Sequence, residues 1–349
     1  LPNLLCALDE SLRPECVVLV VTPQMQHRAS ALRRALREHG MRVEDVKVTQ
    51  AADLVLLDEE IRAGALKYCQ RGSTLINLTG GTKPMALSAY RLAQEFGAAV
   101  YVEARSLELW WYWPTPNRQH LTSRLSVFDF ALAHGYALES LAAADSIPVG
   151  FAEVVNLLAD EASVREVVWK LALREWARVP ESVSPKSRSI HRFFSELEKL
   201  GIAARKPREP GTWSIVEHIN FLQGGWLEHA VTTIIQEESK KNPNLLYDVR
   251  GSTRIQGPSG GNEFDAVFVA GQRLHLVECK ASRNGVAMHE IYKHSATSEY
   301  LGREVRKILV TLQPLGPSFA QKAAREDIRC FVWENREKFR REFLAMLAS

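Results

Sequence analysis

Asn262-Glu263-Phe264-Asp265-Ala266-Val267, followed by Leu276-Val277-Glu278-Cys279-Lys280, sets two carboxylates and a lysine on two neighbouring apolar runs. Residues 264–269 and 273–278 each read as a short strand, and Gly271-Gln272 between them supplies the turn of a β-hairpin. Successive strand residues project to opposite faces. Glu278 and Lys280 therefore share one side, Val277 and Cys279 the other, and Glu263 and Asp265 project together. Asp265, Glu278 and Lys280 are expected to converge. Hydrolysing a phosphodiester at neutral pH calls for a hard divalent cation held by carboxylate oxygens, to stabilise phosphoryl charge and lower the pKa of bound water. Asp265 and Glu278 suit that role, and Lys280 beside them would orient the nucleophile or stabilise developing negative charge. A bare Glu-x-Lys on a half-solvated strand reads equally as an ordinary exposed pair. The acidic run before it, the apolar residues leading into Glu278 and a further glutamate on an upstream helix give the chemical reading its weight.

That helix is expected over residues 225–236, where Leu227, Val231 and Ile234 recur at helical spacing. Glu228 borders their apolar face, above Val231 and Ile235. A half-buried carboxylate there needs a partner, which a metal or Lys280 would supply; snorkelling at the edge of the stripe is the plain alternative.

With these motifs in order, residues from about 224 to 332 resemble the PD-(D/E)xK, or restriction-endonuclease-like, nuclease superfamily. The resemblance assigns Glu228 to that family's glutamate on the first core helix, Asp265 to its metal-binding aspartate, and Glu278 and Lys280 to its ExK pair. Glu290-Ile291-Tyr292-Lys293, Tyr300-Leu301-Gly302 and Lys307-Ile308-Leu309-Val310-Thr311 resemble the helix and strand that follow. It implies cleavage of DNA, sometimes RNA, dependent on Mg²⁺ or Mn²⁺, with Asp265, Glu278 and Glu228 as the metal ligands.

The N-terminal half carries a second signature. Val17 to Thr22 is a continuous apolar run ending in the loop Pro23-Gln24-Met25-Gln26, before a helix through Ala31, Leu32, Ala35 and Leu36 that stops at Gly40. A strand over 43–48, a helix over 54–69 and a strand over 74–79 repeat the alternation, which predicts a parallel, doubly wound sheet. Ligands of such sheets bind beyond the carboxyl ends of the strands, where Thr22–Gln26 and Thr79–Lys83 would fall. Asn77-Leu78-Thr79-Gly80-Gly81-Thr82-Lys83-Pro84-Met85 is the sharper loop. Its glycines admit close approach, Thr82 can cap the next helix, and Pro84 fits the first turn. Free amides beside Lys83 form an anion site. The spacing matches neither a Walker A loop nor GxGxxG, so a nucleoside triphosphate or dinucleotide is not expected. A glycine turn with an exposed lysine is the competing reading.

The run from Gly80 to Met85 resembles the ligand loop of CARF domains, the CRISPR-associated Rossmann-fold sensors of cyclic oligoadenylates, over about residues 15–145. That likeness implies a two-fold homodimer with the cyclic ligand, cyclic tetra-adenylate favoured, lying across the axis. Carried over, Thr22, Gln24 and Gln26 belong to one contact loop, and Asn77, Thr79, Gly80, Gly81, Thr82, Lys83 and Met85 to the other. No His or Lys pair dedicated to cutting the ligand itself is evident. A CARF domain followed by a PD-(D/E)xK nuclease is the layout of type III CRISPR ancillary nucleases, in which the messenger activates nucleic-acid cleavage.

The expected organisation is α/β throughout: a Rossmann-like sensor over 1–145, a helical connector over 146–216 resembling a winged helix, and a restriction-endonuclease-like domain over 217–349. A chain of 349 residues with 46% hydrophobic content can fill two cores. Net charge is only +3, so a nucleic-acid surface must be local. Arg188, Arg192, Lys199, Arg205, Lys206 and Arg208 are the densest candidate, with a solvated helix face as the alternative. If that connector reads DNA and the nuclease fold is degenerate, the chain is instead a ligand-responsive DNA-binding regulator. The aromatic run Trp110-Trp111-Tyr112-Trp113 is expected to be a strand sealing the sheet or the dimer face rather than a base-stacking platform. Five cysteines lie scattered without CxxC pairs, which argues against zinc or disulfides and for a reducing cytoplasm. His289-Glu290-Ile291-Tyr292-Lys293-His294 approaches HExxH, but its histidines leave a shared helical face. No run of about 18 apolar residues and no signal peptide is present, so no membrane association is expected.

Overall fold

The computed structural model describes residues 1–49, 52–103, 106–140, 150–171, 177–178, 185–205, 207–208, 212–257, 260–281, 301–302 and 305–348. It divides into two compact units, Leu1–Leu138 with Ile255–Gly260, and Glu139–Arg254 with Gly261–Ser349. The helix expected around Glu290-Lys293 lies outside the described residues, as do residues 180–184 of the polar linker expected over Pro180–Ser189, whose remainder is helical.

The first unit opens with α1 (Pro2–Leu8), then β1 (Cys16–Val21), α2 (Gln26–Glu38), β2 (Arg42–Lys47), α3 (Leu54–Ala65), β3 (Thr74–Asn77) and α4 (Lys83–Phe96). β4 (Gly97–Glu103), β5 (Glu108–Trp113), β6 (Asn117–His120), α5 (Val127–Ala133) and a short β7 (Ala137–Ser140) follow. β1 pairs parallel with β2, and β3 parallel with β4. Each pair is joined by a helix, the connection parallel strands require. The alternation expected from the sequence holds as far as β4. β5 and β6 then return antiparallel, through loops too short for a crossover. Val46, Val48, Leu57, Ile61, Ala65 and Leu92 form a core between strands and helices, with Met85 packed against it. The run Trp110–Trp113 lies in β5, between β4 and β6, as expected of a strand. Trp110 is held by Tyr101 and by the Arg118 guanidinium, 4.4 Å from its ring centre.

The second unit begins with α6 (Ala152–Asp160), α7 (Ala162–Leu171), β8 (Ala177–Arg178), α8 (Pro185–Lys199), β9 (Ala203–Arg205) and β10 (Thr212–Ile215). The three strands form a small antiparallel sheet in the order β8-β10-β9. Next come α9 (Trp226–Lys241), β11 (Leu246–Gly257), β12 (Gly260–Ala270), β13 (Arg273–Lys280), β14 (Arg306–Thr311) and β15 (Ile328–Val332), with helices Pro317–Arg325 and Arg336–Leu347. The sheet runs β15-β14-β13-β12-β11; β12 and β13 are antiparallel, and β13, β14 and β15 parallel.

One apolar cluster unites this unit. Phe151, Phe193, Phe194 and Trp213, all from the connector segment, share it with Trp226, Val231, Phe268, Val277, Trp333 and Phe343. Phe194 stacks on Trp213 with ring centres 5.5 Å apart, and Trp226 meets Trp333 edge to face at 6.1 Å. The segment expected to be a separate connector is thus built into the core of the second unit.

Candidate active site and messenger loop

The catalytic candidates stand on the β12–β13 hairpin and the first turn of α9. The hairpin turns through Gly271 and Gln272, both at positive φ (54° and 58°), the backbone signature of a type I′ turn whose twist matches the strands. It fixes the register Ala270 opposite Arg273 through Ala266 opposite Val277. Asp265 and Glu278 follow directly on that last pair. Val277 and Cys279 are buried while Glu278 and Lys280 keep partial access to solvent, so the alternation expected of the strand is present. Glu263 is exposed and lies 3.7 Å from Arg254.

Two short contacts organise the acids. The Cys279 backbone N–H donates to Asp265 Oδ2 at 2.5 Å, and Glu278 Oε1 lies 2.6 Å from Lys280 Nζ. Burial pushes the Asp265 carboxyl well above the usual range, and the Glu278 and Glu228 carboxylates push it further. The Cys279 N–H and Lys280 pull the other way. Burial likewise pushes up the Cys279 thiol, reinforced by the carboxylates of Asp265, Glu228 and Glu278, so it is held protonated and inert as a nucleophile. Glu228, Asp265, Glu278 and Lys280, expected together, thus share one electrostatic neighbourhood. Among the described residues no three His, Cys, Asp or Glu side chains close around a single point as a formed metal cage. The donor chemistry nonetheless suits a hard divalent cation: carboxylate oxygens, that of Asp265 destabilised as an anion by burial and by its acidic neighbours.

Glu228 sits near the start of α9. A single π turn, Phe221–Gly225, runs directly into that helix. One turn beyond Glu228, Thr232 Oγ1 donates to the Asp265 carbonyl at 3.4 Å, and Gly251 leaves room for the Thr232 methyl. Thr232 is a positioning residue that the motif reading missed. Its place one helical turn after the glutamate was the available signal.

In the first unit both expected loops leave the carboxyl ends of parallel strands. Thr22 is buried and precedes a 3-10 turn, Pro23–Met25, leaving Gln24 and Gln26 exposed. In the second loop Asn77 Oδ1 accepts from the Thr79 backbone N–H (2.9 Å) and hydroxyl (2.5 Å), and Thr79 Oγ1 accepts from the Val102 N–H at 2.7 Å. Asn77 and Thr79 therefore shape the loop from within. Gly80, Gly81, Thr82 and Lys83 are exposed. Gly81 adopts φ +86°, where a side-chain carbon would also stand 3.3 Å from Met85, so glycine is required. Thr82 caps α4 by accepting from the Met85 N–H, with Pro84 in the first turn.

Three of the connector's six candidate cations are paired with carboxylates. Arg192 lies 2.9 Å from Glu153, Lys199 2.8 Å from Glu196, and Arg205 3.2 Å from Glu198 while covering the Trp213 ring. The solvated-face reading fits these pairs better than a phosphate-binding surface does. Lys206 lies outside the described residues.

A Rossmann-like unit with a glycine-lysine loop, joined to an α/β unit presenting two acids and a lysine on a hairpin, defines a two-domain sensor nuclease. Residues 1–130 match the family model of the Card1 CARF domain, and residues 216–327 that of the Card1-like endonuclease domain. The chain belongs to this family of CARF-domain CRISPR ancillary nucleases. Among solved structures it is similar to Can2 from Sulfobacillus thermosulfidooxidans, solved in complex with cyclic tetra-adenylate, at 19% identity and TM-score 0.78, over 100% of this chain and 94% of that one. It is also similar to protein VC1899 from Vibrio cholerae, at 18% identity and TM-score 0.78, over 99% of this chain and 95% of that one. At these identities the likeness is one of fold. No curated protein matches the chain.

Proposed function

We propose that the protein is a homodimeric cytoplasmic endonuclease that cleaves DNA or RNA with Mg²⁺ or Mn²⁺ when cyclic oligoadenylate, cyclic tetra-adenylate favoured, binds its CARF domains. One observation carries the catalytic part: the Asp265 carboxyl is half-buried beside the Glu278 and Glu228 carboxylates with Lys280 at hand. Such a cluster of like charges is unfavourable unless a cation joins it. Asp265, Glu278 and Glu228 would hold the ion, which supplies Lewis-acid stabilisation of the phosphoryl group and an acidified water. The Cys279 N–H fixes the Asp265 carboxylate, and Lys280 supplies positive charge where negative charge develops.

The sensor half rests on the Gly80–Lys83 loop, whose exposed backbone and lysine suit an anionic ligand, and on Can2, whose structure holds cyclic tetra-adenylate. Thr22, Gln24, Gln26, Asn77, Thr79, Thr82 and Met85 complete the proposed contact set. A second copy is supported by exposed Val55, Leu56 and Leu87 on α3 and α4. Among the described residues no helix is long and apolar enough to cross a membrane.

The test is to incubate the protein with Mn²⁺ and labelled single- and double-stranded DNA and RNA, with and without cyclic tetra- or hexa-adenylate. Messenger-dependent cutting that Glu278→Ala abolishes is expected. Cutting that survives Glu278→Ala overturns the site assignment. Retention of uncut duplex in Mg²⁺ would favour a DNA-binding regulator.

A further inference from the structure

The glycine-lysine loop has a neighbour that its own motif does not contain. Asn3, exposed on α1, accepts a hydrogen bond at Oδ1 from Asn77 Nδ2 at 3.1 Å. Its other amide atom, Nδ2, lies against Gly80, where a side-chain carbon would stand 3.4 Å away. The orientation of both amides follows from the bonding around them. Asn77 Oδ1 is taken up by the Thr79 N–H and hydroxyl, so Asn77 must turn its Nδ2 to Asn3, and Asn3 must answer with its oxygen. That leaves the Asn3 N–H groups directed along the exposed face of Gly80. Among the described residues they have no protein acceptor.

Asn3 is also held firmly. Leu4 and Leu5 behind it are fully buried, and Ser123 Oγ donates to the Leu5 carbonyl at 2.9 Å. At the end of α1, Asp9 Oδ2 accepts from the Thr122 and Ser123 N–H groups at 2.7 and 3.2 Å. A donor fixed in this way loses little freedom when it binds, which is the condition under which one hydrogen bond contributes appreciably to affinity.

We infer that Asn3 is part of the messenger site, its Oδ1 aligning Asn77 and its Nδ2 donating to a phosphate of the cyclic oligonucleotide beside Gly80. This rests on the sensor reading above. It assigns a specificity role to a helix that precedes the first strand of the Rossmann-like unit.

The experiment measures cyclic tetra-adenylate binding to the full-length protein and to Asn3→Ala, Asn3→Asp and Lys83→Ala by titration calorimetry at two salt concentrations. Loss of a hydrogen bond to a charged group predicts about ten- to a hundredfold weaker binding for Asn3→Ala. Asn3→Asp keeps the acceptor for Asn77 but sets a carboxylate against the phosphates. It should bind more weakly than Asn3→Ala, and its deficit should shrink as salt is added. A purely structural role predicts the opposite order, with Asn3→Asp close to the unsubstituted protein, and that order overturns the inference. Equal affinity of all Asn3 variants overturns it too, while a large loss in Lys83→Ala leaves the sensor reading standing. If the unsubstituted protein takes up no cyclic tetra-adenylate, the sensor reading falls and Asn3 with it.

Discussion

The Cys279 backbone N–H meets the Asp265 carboxylate across the β12–β13 pair at 2.5 Å, so the middle residue of Glu278-Cys279-Lys280 anchors the acid while its two neighbours present charge. The inward thiol packs and the backbone positions.

Glu278→Ala and Asp265→Asn should each lower messenger-stimulated cleavage by roughly a thousandfold, about 4 kcal/mol of barrier. Affinity for cyclic tetra-adenylate should stay unchanged. Single-turnover cleavage and ligand titration on the same preparations check both halves. A variant that loses both together would mean that the substitution damaged the fold.

Like-charge crowding at Asp265 has a thermal signature. Asp265→Asn should raise the melting temperature of metal-free protein, because a neutral amide avoids the cost of burying a charge and no longer opposes Glu278 and Glu228. Mn²⁺ at about a hundred times its dissociation constant should stabilise the unsubstituted protein by about 2.7 kcal/mol and Asp265→Asn by far less. Identical Mn²⁺ shifts in both would place the ion elsewhere.

Thr232→Val keeps the shape of the side chain and removes its bond to the Asp265 carbonyl. Turnover should fall about fivefold, in line with about 1 kcal/mol for a hydrogen bond. Messenger affinity and melting temperature should move little. A fall in melting temperature that matches the loss of turnover would reduce Thr232 to a structural role.

His275 sits buried in β13, stacked on Phe268 with ring centres 4.6 Å apart, and burial lowers its pKa to about 4. The unfolded chain takes up that proton near pH 6.5. Between these values the unfolded state binds more protons, so stability falls as pH falls, by about 3 kcal/mol across the window, and is unaffected above it. His275→Phe should remove this step from a denaturation series run between pH 4 and 7. An unchanged acid limb would assign the loss to other groups.

Because Arg192, Lys199 and Arg205 are already paired with carboxylates, replacing all three by alanine should leave cleavage within about twofold and its salt dependence unchanged. A marked drop in nucleic-acid affinity would restore the connector as a substrate surface.

Much of this was legible in the chain because hairpin and loop motifs are local. Period-2 alternation and Gly271-Gln272 define β13 and the end of β12 within two residues, though β12 begins four residues before the expected Phe264, and Thr82 and Pro84 announce the start of α4. What escaped depends on distant segments. Nothing near Phe193 or Trp213 says that the connector shares a core with Trp226 and Phe343. The antiparallel return of β5 and β6 is decided by pairing, and the doubly wound pattern concealed it. Asn3 is silent in the sequence because its partner, Asn77, lies far along the chain.

The tight turn at Gly271-Gln272 has a consequence for how this catalyst fails. A slip of one residue there would exchange the two faces of β13, sending Leu274 and Leu276 to the side of Val277 and Glu278 to the buried side of Cys279, so alignment of the acids is guarded by the same burial that guards the domain. Descendants of this chain that drift toward silence would do so by exchanging Asp265 or Glu278 outright, leaving an intact scaffold with a disarmed centre.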